Sequence, residues 1–403
     1  MAEPFFDMIA ADDPAPLVHA LRASDPVHWV EPLGFWLVTR HDDVKRLYND
    51  PENVTNDKRA WERHTPNTEG TMLRWAEDHG MFSLGREDHA RVRGLVSAAF
   101  TPRAVRRMDG QIREVVERTA APLRGRHGEV IDLLGQFANI VPNTVISRIT
   151  GVPPGDDEAR FRRIAQSVIA GFMPFTPPDL RAEAERSFQE LASWVRELVA
   201  KRRAHPEEDL VTDLVNAQDA DGALCEDDIV LLLAGLIGAG SETTSQGGAS
   251  IVRMLLAEPR AMERLRADRP LIRRAIDEII RFTLSNPGGT VRFAVRDFDL
   301  RGRSIRKGQM LMLSIGGANR DPAVFENPDV LDLDRTIRDL AAFGNGPHYC
   351  LGANLARQEM ACMLDALLDV VTPGSRLRED RLEFVDLGLF RRAINLPVEI
   401  GPR

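Results

Sequence analysis

Cysteine is scarce: only Cys225, Cys350 and Cys362 occur in 403 residues, and no two of them form a CxxC pair. That excludes a zinc ribbon and a redox dithiol, and three scattered thiols fit a reducing compartment better than a disulfide scaffold. Lysine is nearly absent, with Lys45, Lys58, Lys201 and Lys307 the only ones, and the formal net charge is −9. A nucleic-acid binder wants a basic surface, so no nucleic-acid partner is expected, and nothing recruits the chain to an anionic membrane. Long apolar runs are missing as well. The longest uncharged apolar stretch, residues 229–240, is too short to span a bilayer. The opening MAEPFFDMIAADDP carries Glu3, Asp7, Asp12 and Asp13 and lacks the basic start of a secretory signal. No membrane anchor and a cytoplasmic location are therefore expected. Internal repeats, low-complexity tracts and linkers are also lacking, so a single domain over residues 1–403 is expected.

What is present is an ordinary globular balance, 43% hydrophobic and 28% charged. Residues 27–39 read as a hairpin, two β-rich runs around Pro32-Leu33-Gly34. A polar loop region follows to about residue 86, broken by a short helix over 72–77. Residues 88–203 read as mainly helical, with breaks at 101–102, 151–154 and 174–178. One long helix is predicted over 226–256, opened by Glu226-Asp227-Asp228, acids that suit a helix N-terminus. Two further helices follow over 259–267 and 269–283. Residues 291–315 alternate like strands, with turns at Gly302 and Gly308. A last long helix runs over 352–371, and short strands end the chain. The fold class expected is mainly α with a smaller β-rich region.

The most informative stretch is residues 343–352, FGNGPHYCLG. It is a glycine-rich loop feeding a helix. Gly344 and Gly346 have no Cβ, so backbone there can approach a flat ligand. Cys350 sits where unpaired N–H groups and the helix dipole favour a thiolate. Cys225 and Cys362, with no motif around them, read as small hydrophobes. The loop resembles the cytochrome P-450 signature FxxGxxxCxG at all four fixed positions, Phe343, Gly346, Cys350 and Gly352. His348, Leu355, Ala356 and Arg357 match the extended bacterial form. The resemblance implies haem b with Cys350 as the axial iron ligand, and Phe343, Gly344, Gly352 and Ala239 as further haem contacts.

On the long central helix, Ala239-Gly240-Ser241-Glu242-Thr243-Thr244 matches the family's [AG]Gx[DE]T motif. A buried Glu–Thr pair costs free energy unless paired, and a threonine can bond back to a carbonyl one turn earlier and bend the helix. By resemblance Glu242 and Thr243 deliver protons during oxygen activation, a general-acid role, and Thr244 is a second candidate. Haem propionates need cationic partners. His89 and Arg93, four apart on one helix face, match the family's HxxxR. Arg292 matches the arginine on the strand after ExxR, and His348 completes the set. Glu278 and Arg281 match ExxR itself and, with Arg335, are assigned a structural role. Leu340 stands where many bacterial members have histidine.

The activity implied is that of a monooxygenase, R–H + O2 + 2 e− + 2 H+ → R–OH + H2O. Its partners would be O2, a hydrophobic small molecule and a separate one-electron donor such as a ferredoxin with its reductase; a monomer is expected. A peroxygenase, a haem-thiolate isomerase and a non-catalytic haem sensor are the alternatives, and the intact Glu242-Thr243 pair argues against them. The expected pocket includes Phe172, Leu236, Gly288, Gly289, Val291 and Phe390, mostly apolar as small-molecule pockets are. Steroids, terpenoids, fatty acids and macrolide precursors all fit that description. Gly288 and Gly289 read either as room for a bulky substrate or as a turn before a strand.

Overall fold

Apolar residues at helical spacing shape most of the chain, and the longest such run organises the rest. In the computed structural model, which describes residues 3–11, 13–67, 70–152, 158–221, 224–283, 288–389 and 391–402, that run is the helix Glu226–Ala257. Its first turn carries Glu226, Asp227 and Asp228, and the Asp228 carboxylate accepts the Cys225 backbone N–H at 2.8 Å. The acids thus meet the N-terminal dipole and satisfy a donor that no carbonyl can reach. The helix is apolar nearly all round and is buried accordingly. Against it pack the helices Ile140–Thr150, Glu158–Gly171, Pro178–Ala204, Leu271–Thr283 and Ala353–Val370. Close approach needs a small residue at Gly240, where a Cβ would sit 3.1 Å from Ile146. Leu233, Ile237, Ile251 and Leu255 of this helix join Leu364 and Leu367 of the Ala353–Val370 helix in the main apolar core.

A five-stranded sheet flanks the helices in the order Val27–Val30, Phe35–Val38, Met310–Ser314, Gly289–Ala294, Val54–Thr55. The expected hairpin forms, with Val27 opposite Val38 and Gly34 turning at φ 67°. Phe35–Val38 runs parallel to Met310–Ser314; the other pairs are antiparallel. Met310–Ser314 is the central strand, buried at all five positions, so residues 310–313 form a continuous apolar run and depart from the alternation expected over 291–315. The turns expected at Gly302 and Gly308 have φ 77° and 88°.

Three differences from the sequence reading stand out. The helices Pro4–Ala10, Ala15–Ser24 and His41–Tyr48 precede or follow the hairpin, in segments where no helix was expected. Val130–Asp132 is a strand inside the span read as helical; its partner, Pro397–Glu399, is supplied by the far end of the chain. The short helix expected over 72–77 extends to His79.

Candidate functional site

The candidate site lies where the Ala353–Val370 helix, its preceding loop and the central helix meet. The loop is held shut by the Cys350 N–H, which donates to the Phe343 carbonyl at 2.8 Å, and by Gly344 and Gly346 at φ 69° and 70°. Gly346 is glycine for that backbone and for its neighbours: a Cβ would run into Asn49 and would lie 2.9 Å from the Tyr48 carbonyl. Its reason therefore lies on the side of the His41–Tyr48 helix. Gly352 faces open space instead, with nothing within 4 Å of a Cβ. Phe343 is buried under the Arg357 guanidinium, 4.3 Å from its ring centre, and Arg357 is itself fixed by Asp277 at 2.6 Å.

Cys350 retains exposed surface. The enclosing loop nonetheless desolvates the thiol and pushes it up from its ordinary range, against the pull of the Gly352 N–H, Arg93 and Arg357. The helix begins at Ala353, three residues on. A bound cation would ionise the sulfur, because a coordinating thiol loses its proton outright.

The four basic residues expected at the propionates do come together. The His89 and His348 rings lie 3.8 Å apart between centroids, tilted by 30°. Arg93 donates to the Tyr349 carbonyl at 2.8 Å, and Arg292 to the Val291 carbonyl at 2.8 Å with its guanidinium 5.0 Å from the Tyr48 ring centre. Burial, then His89, Arg292 and Arg93, push His348 down to about 3. Burial also pushes Arg292 down to about 10, opposed only by the Tyr48 phenol. His89 falls through burial and Arg93. The shifts leave both imidazoles uncharged and two buried guanidiniums, with no carboxylate among the described residues acting on them, an arrangement that calls for anions. Two propionates on a flat ligand held by the nearby Cys350 supply that charge, so the residues present fit haem.

Across the site, Thr243 donates to the Ala239 carbonyl at 2.6 Å. It is exposed although Ser241, Glu242, Thr244 and Ser245 around it are buried, so it opens onto a hollow within the fold. Thr244 points into the packing and does not share that exposure. The Glu242 carboxyl accepts from Gln246 at 3.1 Å and lies 3.7 Å from Arg392. Burial pushes it up, while Arg392, Gln246 and Gln166 pull it back.

Glu278 and Arg281 are fully buried and doubly bonded, at 2.6 and 2.8 Å, and Arg335 lies 3.2 Å from the same carboxylate. Of the pocket candidates, Leu236 is buried, and Phe172 meets Phe188 edge to face at 6.2 Å. Val291 packs beside the cluster holding Phe293. Phe390, and Pro287 beside Gly288, lie outside the described residues; Gly288 itself is half-buried, its carbonyl accepting from Ile315 at 3.2 Å. Phe82 and Ile169 approach the central helix at Gly235 and Gly238, 3.5 and 3.4 Å from where a Cβ would be. Gly289 pairs with Ser314, and a Cβ there would collide with the Leu313 carbonyl. Strand pairing thus requires this glycine, a reason that neither of the two readings offered. Gly289→Ala should cost about 1–3 kcal/mol by overpacking and weaken bulky and small ligands together; thermal unfolding and paired ligand titrations check this.

Sequence reasoning missed Tyr48, Gln166, Gln246 and Arg392. Tyr48 belongs to an unforeseen helix, where its hydroxyl meets Thr290 at 2.9 Å. The others carry no motif; Gln246 lies one helical turn beyond Glu242, a spacing the sequence does give, whereas only the fold brings Gln166 and Arg392 there.

Comparison with known proteins agrees with this geometry. A family model described as Cytochrome P450 matches residues 27–370. Mycinamicin IV hydroxylase/epoxidase of Micromonospora griseorubida is 34% identical over 385 residues, covering 94% of this chain and 93% of that protein. Epothilone C/D epoxidase of Sorangium cellulosum is 34% identical over 354 residues, 87% of this chain and 84% of that protein. Among solved structures, epothilone D-bound cytochrome P450epoK superposes with a TM-score of 0.88 at 32% identity over 100% of both chains.

Proposed function

Because the chain belongs to the cytochrome P450 family, and is on that ground a monooxygenase, we propose that it holds haem b through Cys350. We propose further that it hydroxylates or epoxidises an apolar, macrolide- or polyketide-like ring, with electrons from a separate ferredoxin-type donor. The observation that carries the haem assignment is the cluster of His89, Arg93, Arg292 and His348 beside Cys350, two stacked imidazoles and two guanidiniums with no carboxylate partner among the described residues. The substrate class is supported by the names of the relatives, which act on mycinamicin IV and on epothilones C and D.

When bound, haem with a thiolate ligand supplies the oxygen chemistry. The chain supplies position and protons. Arg93 and Arg292 would offset the charge of the propionates, and His89 and His348 would offer them ring N–H donors. Thr243 donates its own proton to the Ala239 carbonyl and so presents lone pairs to the hollow, where it can hold a water or a hydroxyl donor. Glu242, pushed up by burial, keeps a proton nearer neutral pH than an exposed glutamate and suits a general acid. Among the described residues no helix is long and apolar enough to cross a membrane.

Thr243→Ala should still bind haem and ligand but divert electrons to peroxide, lowering product per NADH by roughly tenfold or more, within the range of general-acid contributions. Product and peroxide measured together with a surrogate ferredoxin and its reductase test this. Unchanged yield would move the role away from Thr243. An optical titration of the holoprotein with macrolides, steroids and fatty acids tests the substrate class: a shift of the haem band with macrolides and none with the others is expected. The reverse pattern would contradict it.

A further inference from the structure

Glu242 sits where three elements meet. Its own helix supplies Gln246, whose amide donates both to the Glu242 carboxylate at 3.1 Å and to the Ala393 carbonyl at 3.3 Å. The Glu158–Gly171 helix supplies Gln166, which also hydrogen-bonds the carboxylate. The third element is the C-terminal hairpin, Phe384–Asp386 paired with Arg391–Ala393, which sets Val385 opposite Arg392. Consecutive strand residues face opposite ways. Arg391 accordingly turns outward, its guanidinium 4.3 Å from the Phe384 ring centre and its Nη1 donating to the Ala10 carbonyl at 3.2 Å. Arg392 turns inward. Its Nη1 lies 3.7 Å from Glu242 Oε1, with the two side chains only 14% and 11% exposed. That nitrogen is buried and has no hydrogen-bond partner among the described residues. Of the groups acting on Glu242, Arg392 is the charged one; Gln246 and Gln166 are neutral.

A buried cation with one anion in reach and no hydrogen bond on the nearest nitrogen is poorly explained as a structural tie, which would saturate its donors as Arg281 does. We propose that Arg392 is a positioning residue that governs the charge and direction of Glu242, and through it the readiness of that acid to pass a proton toward Thr243. The hairpin then becomes part of the proton-delivery apparatus, and because Gln246 links the same acid to Ala393, any ligand that moves the hairpin also moves the acid. The inference rests on reading Glu242 as a proton donor.

The test uses the holoenzyme and the variants Arg392→Gln, Arg392→Lys and Glu242→Gln. Infrared pH-difference spectra identify the Glu242 carboxylic-acid band as the one lost in Glu242→Gln. A nearby cation favours the ionised carboxylate, so in Arg392→Gln that band should persist to higher pH than in the parent, and Arg392→Lys should restore the parent titration. Product per NADH should fall about fivefold in Arg392→Gln, a modest share of a general-acid effect, with its pH profile displaced the same way and recovered in the lysine variant. An identical titration of the band in parent and Arg392→Gln would overturn the proposal. A Glu242→Gln enzyme with parental product per NADH would instead overturn the underlying role of Glu242, whatever the infrared titration shows.

Discussion

Glu278→Ala should be the most destabilising single substitution in the protein. Both Glu278 and Arg281 are wholly buried, and the carboxylate receives Arg281 Nε and Nη2 and the Asp332 N–H at 3.0 Å, with the Arg335 guanidinium ion-paired beside it at 3.2 Å. Arg281 continues to the carbonyls of Asn319 at 3.0 Å and Pro328 at 2.7 Å. The network thus ties the Leu271–Thr283 helix to the chain approaching the cysteine loop. Removing the acid leaves two guanidinium groups without their counter-charge, at a cost of about 3–5 kcal/mol. Set against a typical stability of roughly 5–15 kcal/mol, most of the protein should be insoluble or devoid of haem. Denaturant unfolding of whatever remains soluble measures the loss; an unchanged midpoint would show that the triad holds nothing.

Cys350→Ala should abolish product formation while leaving the fold largely intact. The side chain receives only the Gly352 N–H two residues on; the loop is closed by the Cys350 backbone N–H on Phe343 and by two left-handed glycines, none of which the substitution touches. Circular dichroism and the unfolding midpoint should therefore stay near those of the parent, whereas haem content and turnover should fall to background. Loss of fold together with haem would mean that the thiol is a structural element. Turnover that survives would assign the iron to another ligand.

The chemistry of this chain was legible because it is concentrated in short local runs. Residues 343–352 carry the proposed ligand and its loop, 239–244 the proposed acid and alcohol, and 278–281 the core pair; each is read without knowing what lies beside it. The long central helix was equally plain, since its acidic first turn and unbroken apolar length come from neighbouring residues. Illegible were features created by distant partners. Val130–Asp132 becomes a strand through Pro397–Glu399, and Arg392 acquires meaning only when the hairpin folds over Glu242. The choice between Thr243 and Thr244 turned on which faces the hollow, which depends on how neighbouring helices pack. Gly289 illustrates the same limit: its sequence context speaks of a turn or of space, and only the Leu313 carbonyl shows why a side chain is excluded.

The most direct measurement of the central claim is the carbonyl difference spectrum of the purified, dithionite-reduced protein. Ligation by Cys350 predicts one haem per chain and the long-wavelength band that distinguishes thiolate-bound haem from histidine-bound haem. A band at the histidine-ligated position in freshly purified, fully folded protein, or a folded protein that takes up no haem, would contradict the account.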